Sequence, residues 1–266
     1  MPNRIDQKFD ALRASGGRAL IAYISAGDPN LAATHDLALA FDRAGVDVLE
    51  LGVPFSDPLA DGVVNQMAAG RALAAGTTAA GVLDCIREIR RASQIPIVLY
   101  TYMNPIYRYG FEKFHRDAEA AGVDGLLILD LPPDEDEQNA ELAQQSGLKR
   151  ICLIAPTTPI ERIARLTARA SGFIYYVSRE GVTGERSELA ASLPERVQAI
   201  RATTSLPIAV GFGISTAEQV REVAGLAEGV VVGSAIVKRV EQWGKEPDLA
   251  QRMEEFVRPL AAATKG

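Results

Sequence analysis

Residues 125–130 read Gly-Leu-Leu-Ile-Leu-Asp, an almost unbroken run of large apolar side chains that ends in a carboxylate. A strand with one face in water alternates apolar and polar residues, whereas a strand covered on both faces is apolar throughout. Parallel sheets that carry helices on both faces provide such cover. The run therefore predicts a buried strand of a parallel sheet.

Apolar, β-branched runs of this kind recur along the chain, and segments with helical periodicity separate them. The predicted strands are Ala19–Ser25, Val46–Gly52, Ile97–Tyr102, Gly125–Asp130, Arg150–Ile154, Phe173–Val177, Ile208–Gly211 and Gly229–Val232. The predicted helices are Ile5–Ala14 before the first strand, then Asn30–Ala44, Thr78–Ser93, Phe111–Ala121, Asp134–Ser146, Ile160–Ala170, Leu193–Thr203, Thr216–Gly225 and Asp248–Ala261.

Strands that alternate with helices over about 250 residues predict an α/β fold of the (β/α)8 TIM-barrel type, here with an extra N-terminal helix. A doubly wound open sheet is the alternative. It is disfavoured because Ser25-Ala26-Gly27-Asp28-Pro29 follows the first strand, where a dinucleotide-binding sheet carries G-x-G-x-x-G. No Pro/Ser-rich linker divides the chain, so we expect residues 1–266 to form one domain.

Charge and composition exclude several classes of function. The chain has 28 basic and 34 acidic residues, a net charge of −6, and no basic stripe, so a nucleic-acid partner is not expected. No apolar stretch approaches the roughly 18 residues of a membrane span, and the N-terminus does not resemble a secretory signal. We therefore expect a cytoplasmic protein that makes no membrane contact.

The cysteines and histidines do not indicate a metal site. Cys85 and Cys152 lie in apolar periodic sequence and are predicted to be buried free thiols. His35 and His115 have no other ligand type at suitable spacing and are predicted to lie on polar helix faces. A zinc site and a Ser-His-Asp triad are therefore not expected.

In a barrel the ligands bind at the carboxyl ends of the strands, and residues 49–62 follow the second strand with the sequence LELGVPFSDPLADG. Strand alternation turns Leu49 and Leu51 toward the helices and Glu50 inward. Burial there would raise the pKa of Glu50 toward neutrality, which suits a group that gives and takes a proton. An ordinary ion pair at the rim is the alternative. Asp57 and Asp61 follow on a proline-containing loop. Either they have a functional role, or they belong to an ordinary solvated turn.

The last loops of the predicted barrel are rich in glycine. Gly184 ends the segment 181–184, Gly213 follows the seventh strand, and Gly233-Ser234 would open a short extra helix after the eighth strand. Exposed backbone N–H groups and a helix N-terminus favour an anion, and barrels commonly bind phosphate at this place. Tight turns would explain each glycine separately. Together the residues predict an enzyme for a small phosphorylated substrate, with an inward glutamate as its proton carrier.

The segment 49–62 also resembles the tryptophan synthase α subunit family. The resemblance extends in order over nearly the whole chain, through Gly27-Asp28-Pro29, the segment SREGVTG at 178–184, Gly211-Phe212-Gly213-Ile214 and the segment VGSAIV at 232–237. It implies a carbon–carbon lyase that cleaves indole-3-glycerol phosphate into indole and glyceraldehyde 3-phosphate. It further implies that Glu50 moves the protons and that Asp61 holds the indole N–H.

Other roles follow from the same resemblance. It implies an indole pocket that includes Tyr23 and Tyr102, for which core packing is an equal explanation, and a position near the substrate for Tyr175. Asp130 would help to hold the loop of Asp61 or would cap a helix. The remaining implied residues are Gly184, Gly213, Gly233 and Ser234 at the phosphate, and Asp57 and Thr183 in the mouth loops 53–63 and 179–192, which we expect to be mobile in the isolated chain.

The family acts with a β subunit that joins indole to serine with pyridoxal phosphate, in an α2β2 complex. We therefore expect no cofactor and no metal in this chain and a β subunit as its partner. The chain has Val63 where the family commonly has proline, which predicts a looser loop around Asp61. A stand-alone indole-3-glycerol-phosphate lyase and a catalytically idle activator of the partner are the other possibilities. A barrel isomerase or synthase of the same pathway is disfavoured, because the lysine or second acid that it needs cannot be placed.

Overall fold

The computed structural model describes residues 3–131, 137–177, 186–211 and 213–265. The strands in these ranges are β1 (Ala19–Ser25), β2 (Val48–Gly52), β3 (Ile97–Thr101), β4 (Gly125–Ile128), β5 (Lys149–Arg150), β6 (Cys152–Ile154), β7 (Ile174–Val177), β8 (Ile208–Gly211) and β9 (Gly229–Val232). The helices are α1 (Arg4–Ser15), α2 (Leu31–Ala44), α3 (Val63–Ala74), α4 (Ala79–Arg90), α5 (Met103–Tyr109), α6 (Phe111–Ala121), α7 (Glu137–Ser146), α8 (Ile160–Thr167), α9 (Arg186–Arg201), α10 (Ala217–Ala224), α11 (Ser234–Trp243) and α12 (Leu249–Ala262).

The strands form one parallel sheet in the order β5-β4-β3-β2-β1-β9-β8-β7-β6. Only Ile151 separates β5 from β6, and its N–H donates to the Leu126 carbonyl over 2.9 Å. β5 pairs with β4, whereas β6 pairs with β7, so the two short strands share one position and the ring closes through them. The predicted (β/α)8 barrel is confirmed, with its fifth strand interrupted at Ile151.

Alternate residues of each strand fill the inside of the barrel. Ile21, Val48 and Val98 lie in this inner layer and are fully buried. α1 covers the amino-terminal end of the barrel, where the ring of Phe9 lies 5.6 Å from that of Phe173. Among the described residues no helix covers the opposite end in this way, and it is the end at which the predicted site residues lie.

The other face of each strand packs against the surrounding helices. Leu49 and Leu51 of β2 belong to this outer layer, together with Phe41 of α2 and Ile86 of α4. All four are at most 1% exposed. Because both faces of β2 are buried, the strand is apolar except at the single inward position that carries Glu50.

Buried carboxylates at the amino-terminal end have a full set of partners. Asp124 pairs with Arg4 at 2.9 Å and with Arg90 at 2.8 Å, and it accepts the N–H of Ile97 over 2.8 Å. Asp47 accepts the N–H of Leu20 over 2.9 Å and pairs with Lys265. These pairs stabilise the closed end of the barrel, since a buried charge is tolerated when it is paired and hydrogen-bonded.

Two helices were not anticipated from the sequence. α3 buries Ala68, Ala69 and Ala72, so its core face consists of small residues and shows no strong apolar period. α5 has only seven residues and contains Pro105, which is too short for a periodic signal. Helix α9 starts at Arg186 instead of Leu193, so the predicted mouth loop 179–192 is wrong over its last seven positions.

The environments of two predicted residues also differ from expectation. His115 is 2% exposed, because its Nδ1 lies 3.0 Å from the Phe111 carbonyl and its Nε2 lies 2.8 Å from Asn139 Oδ1. With both ring nitrogens satisfied, the side chain is buried, and the predicted polar face is wrong. Cys85 is buried as expected, whereas Cys152 is half-buried. Within the described ranges no helix is both long and apolar enough to cross a membrane.

Candidate active site

Glu50 lies inside the mouth of the barrel and is 1% exposed. Its backbone is paired with Tyr23 on β1 and with Val98 on β3, and alternation along β2 turns the side chain inward as predicted. Among the described residues, Glu50 Oε1 has no hydrogen-bond partner and no cation pairs with the carboxylate. The ion pair at the rim that the sequence left open is therefore not formed there.

Burial raises the pKa of Glu50 from its ordinary value of 4.5 to about 8, and the negative charge of Asp61 adds to the effect. Removing water stabilises the neutral carboxylic acid over the carboxylate. At neutral pH this side chain therefore holds a proton that it can donate, and after donation it becomes a base. Asp124, at the other end of the barrel, differs because two arginines and a backbone N–H bind its carboxylate. Glu50 is therefore the better candidate for proton transfer.

Asp61 ends the loop that follows β2 and is 9% exposed. Its Oδ1 accepts a hydrogen bond from the Tyr100 hydroxyl at 2.9 Å, and its Oδ2 accepts one from the Tyr102 hydroxyl at 2.8 Å. The Tyr102 oxygen also accepts the N–H of Ala60 over 3.1 Å. The loop is thus bonded to Tyr100 of β3 and to Tyr102, the residue that follows the strand.

The pKa of Asp61 reflects opposing influences. Burial raises it above its ordinary value, while hydrogen bonds from Tyr102, Tyr100 and Asn65 counteract the rise because they stabilise the charged carboxylate. For Glu50, burial and the charge of Asp61 both raise the pKa, and no donor among the described residues reaches its Oε1. The two acids therefore differ in environment: burial favours the neutral form of Glu50, whereas at Asp61 hydrogen-bond donors oppose the effect of burial.

α3 follows Asp61 directly and is anchored by an ion-pair network. Gly62 is its N-cap and provides no side-chain bond, so Val63 occupies the first helical position. Further along α3, Arg71 makes two bonds to the buried Asp28, at 2.9 and 2.8 Å, and a third to Glu241 of α11 at 2.9 Å. This network and the two tyrosines bond to the segment on either side of Val63, and the looser loop expected from Val63 stays a prediction.

Aromatic rings line the mouth above the inner layer. The ring of Tyr23 lies 5.1 Å from that of Tyr100 in an edge-on contact, and the ring of Phe55 lies 5.4 Å from that of Tyr102. Tyr175 faces inward from β7 and is 9% exposed. Burial raises the pKa of Tyr23, Tyr100 and Tyr175 well above the ordinary value, so their hydroxyls remain protonated donors.

Glycines at two strand ends make room for these rings. A Cβ at Gly52 would lie 2.5 Å from the Tyr23 hydroxyl, and one at Gly211 would lie 2.9 Å from the Tyr175 hydroxyl. Either substitution would displace an aromatic wall of the mouth. The glycines therefore have a packing role that the sequence did not identify.

The ends of β8 and β9 carry the predicted phosphate residues. Gly213 has a φ of 61°, and no described atom lies within 4 Å of the place that a Cβ would take there. Gly233 is the N-cap of α11 with no side-chain bond. The Gly233 carbonyl accepts the N–H groups of Ile236 and Val237, and the exposed Ser234 opens the helix. The first N–H groups of a helix have no intrahelical partner and can therefore bind an anion. Gly184 and Thr183 lie outside the described residues.

Asp130 and Asp57 lie at the edge of the mouth. Asp130 Oδ1 accepts the N–H of Met103 over 2.7 Å, so it caps α5, which was the alternative role considered from the sequence. This cap also fixes Tyr102, the residue just before the helix. Asp57 is exposed on the loop, where it is accessible to a partner.

Sequence reasoning identified Tyr102 but missed Tyr100 and Asn65. A period-two reading of β3 would have found Tyr100, since it lies two positions before Tyr102 and must share its inward face. Asn65 gave no such signal because α3 was not predicted.

Comparisons with known proteins agree with one another. The family model described as "Tryptophan synthase alpha chain" matches residues 9–265. Two proteins of that name are each 50% identical to the chain: that of Opitutus terrae over 264 residues, covering 99% of both chains, and that of Geotalea daltonii over 244 residues, covering 91% and 92%.

Solved structures show the same similarity. Tryptophan synthase subunit alpha from Legionella pneumophila superposes with a TM-score of 0.88 at 38% identity and 98% coverage of both chains. A chain of the Mycobacterium tuberculosis tryptophan synthase structure superposes with a TM-score of 0.90 at 35% identity and 100% coverage of both.

Proposed function

Because the chain belongs to the tryptophan synthase alpha chain family, we propose that Glu50 and Asp61 are the two groups that carry out the family's reaction in it. That reaction is the carbon–carbon lyase step of tryptophan synthase, the cleavage of indole-3-glycerol phosphate to indole and glyceraldehyde 3-phosphate. The observation that carries the proposal is a buried carboxyl group, with no hydrogen-bond partner for its Oε1 among the described residues, near a carboxylate that accepts hydrogen bonds from two tyrosines.

The cleavage needs two proton movements. Indole C3 must gain a proton so that the ring can leave, and the hydroxyl on the adjacent side-chain carbon must lose one so that an aldehyde can form. Glu50, with a pKa of about 8, begins protonated and donates to C3. The resulting carboxylate then accepts the hydroxyl proton, so one group serves both steps and returns to its starting state.

Asp61 stabilises the charge that develops in between. Protonation at C3 gives a cationic indolenine whose charge is concentrated at the ring N–H. A fixed carboxylate that accepts this N–H binds the cation more strongly than the neutral substrate, which lowers the barrier. The donors Tyr100, Tyr102 and Asn65 favour the ionised form of Asp61 that this role requires.

The phosphate of the substrate would bind on the other side of the mouth. Gly213 and Gly233 leave backbone N–H groups accessible, and Ser234 adds a hydroxyl at the N-terminus of α11. Gly184, the other residue predicted at the phosphate, lies outside the described residues.

Indole release by Glu50→Gln and Asp61→Asn variants tests these assignments. The amide of Glu50→Gln keeps the shape of the side chain but cannot carry the proton, so kcat should fall about 10²–10⁴-fold with little change in KM. Asp61→Asn should also lower kcat. Glu222→Gln, an exposed exchange on α10, is the matched control. Near-normal turnover by Glu50→Gln would refute its role as proton carrier.

Membership of the family implies a β subunit as partner, and an α2β2 complex that covers the barrel mouth is the arrangement proposed for this chain. An apolar surface next to the mouth supports it: Leu59, Val63 and Met67 are 78%, 69% and 55% exposed, and Tyr107 is 75% exposed. Val63 and Met67 are four positions apart, so they lie on one face of α3. Pyridoxal phosphate would reside in the β subunit, where indole is joined to serine to form L-tryptophan.

Asp57 is the residue of this loop proposed to meet a basic group of the partner. Titration with β subunit should stimulate indole release about tenfold to thousandfold, which needs only about 1.4–4 kcal/mol of differential contact. Asp57→Ala should lose much of the stimulation while its rate without partner stays unchanged. If saturating β subunit leaves the rate of the unaltered chain unmoved, a stand-alone lyase becomes the better description.

A further inference from the structure

β3 and the residue that follows it supply two donors to one acid. Tyr100 and Tyr102 lie two positions apart, and each donates its hydroxyl to a different oxygen of Asp61, at 2.9 and 2.8 Å. Tyr102 has a further tie to the loop through the N–H of Ala60. Tyr100 has no role in the reaction as described so far, yet it contacts one of the two proposed catalytic acids directly.

Tyr100 is itself held rigidly. Its backbone is paired with Gly52 on β2 and with Leu127 on β4, and its ring packs edge-on against Tyr23 with centroids 5.1 Å apart. Donors placed on strands are positioned more accurately than groups placed on loops. Asp61 belongs to a loop, so a hydrogen bond from the strand residue Tyr100 can fix the position of its carboxylate.

We propose that Tyr100 is a positioning residue for indole-3-glycerol phosphate cleavage, which keeps the Asp61 carboxylate at the mouth and oriented toward the indole N–H. This rests on the proposed role of Asp61. Each carboxylate oxygen can accept two hydrogen bonds, so the bonds from Tyr100 and Tyr102 leave capacity for the substrate. The arrangement sets the acid before substrate or partner binds.

The electrostatic surroundings of Asp61 give this role a specific signature. Asp61 faces Tyr100 and Tyr102 from β3 and its end, Asn65 from α3, and the inward groups Glu50, Tyr23 and Tyr175 from β2, β1 and β7. Loss of the Tyr100 hydroxyl removes one donor that favours the carboxylate, so Asp61 should take up a proton at higher pH.

The test is Tyr100→Phe, which removes only the hydroxyl. We expect kcat to fall about tenfold or more, because a hydrogen bond to a charged group is lost, with a smaller change in KM. The acid limb of the pH profile of kcat/KM should move to higher pH. Tyr176→Phe is the control, since Tyr176 is a buried tyrosine on the outer face of β7, and it should change neither quantity.

A double-mutant cycle separates positioning from packing. In an Asp61→Asn background, adding Tyr100→Phe should lower kcat by less than about twofold, because Tyr100 acts through the missing carboxylate. Multiplicative losses would overturn the proposal, and so would an unmoved acid limb in the single variant. Thermal unfolding of both variants shows whether the fold is kept, and Tyr100→Met serves as a second variant if Tyr100→Phe does not fold.

The outcome is distinguishable from failure of the proposed function. If Glu50→Gln and Asp61→Asn lose activity while Tyr100→Phe behaves like the unaltered chain, only the role of Tyr100 is refuted. If Asp61→Asn retains activity, the assignment of Asp61 fails, and the role of Tyr100 fails with it.

Discussion

Replacing Glu50 by glutamine should stabilise the protein although it lowers kcat about 10²–10⁴-fold. The carboxyl group is 1% exposed, and Oε1 has no partner among the described residues, so ionising it in the folded state is costly. Glutamine has nearly the same shape and cannot ionise. The free energy of unfolding that Glu50→Gln gains is therefore a direct measure of how far burial raises the pKa of Glu50.

The size of the gain follows from the pKa of Glu50, which burial raises from 4.5 to about 8. A carboxyl group with a raised pKa binds more protons in the folded than in the unfolded state, so its ionisation destabilises the fold increasingly as pH rises from 4.5 to 8. With about 1.36 kcal/mol per pH unit, the cost is below about 1 kcal/mol at pH 5, about 3 kcal/mol at pH 7 and about 5 kcal/mol above pH 8. Glu50→Gln should recover that amount.

Urea unfolding of both proteins at pH 5, 7 and 8.5 measures the difference. The free-energy gain of Glu50→Gln should grow between the first two pH values by roughly 2–3 kcal/mol, with an unchanged dependence on urea concentration. Glu222→Gln on the surface of α10 should give no such growth. A gain that is constant with pH, or a destabilised Glu50→Gln, would refute the raised pKa of Glu50.

Three further predictions concern the segments around the mouth. Val63→Pro should raise the free energy of unfolding by about 0.4–1 kcal/mol, because position 63 begins α3 and Gly62 has the extended ψ of 159° that a following proline prefers; a lower urea midpoint would contradict this. Gly233→Val should raise KM for the phosphorylated substrate about tenfold or more, since the side chain enters the anion's place; if inorganic phosphate does not compete with substrate in the unaltered chain, the phosphate site lies elsewhere. Arg71→Met removes the arginine that pairs with the buried Asp28 and should lower the free energy of unfolding by about 2 kcal/mol. This is less than the roughly 3–5 kcal/mol of a fully buried pair, because the Arg71 side chain is 30% exposed. An unchanged free energy of unfolding would show that the pair contributes nothing.

The barrel could be predicted largely from local patterns. β1, β8 and β9 have the predicted bounds, because a strand that is covered on both faces must be apolar along its whole length. The inward direction of Glu50 follows from the same alternation. The helices that escaped prediction, α3 and α5, bury mainly alanines or are very short, so neither produces the period that a sequence reading detects.

The candidate site could be predicted in part. Glu50 and Asp61 lie within eleven positions of each other in one segment, and a resemblance to a known family was enough to single them out. The donors to Asp61 could not be found in this way, because Tyr100 and Tyr102 are 39 and 41 positions away along the chain. The burial of His115 was missed for the same reason, since its partner Asn139 lies on another helix.

The sequence by itself determined which positions are covered, which strand ends carry acids or glycines, and therefore the kind of fold and the end of the barrel at which chemistry occurs. Only the tertiary structure decided what the buried carboxyl groups contact. Asp124 has three partners and Asp61 has two tyrosines, whereas Oε1 of Glu50 has no partner in the described part of the chain. The physical reason is that periodicity records burial, which is a property of single positions. A pKa depends on pairs of groups, and the closing of the barrel brings those pairs together.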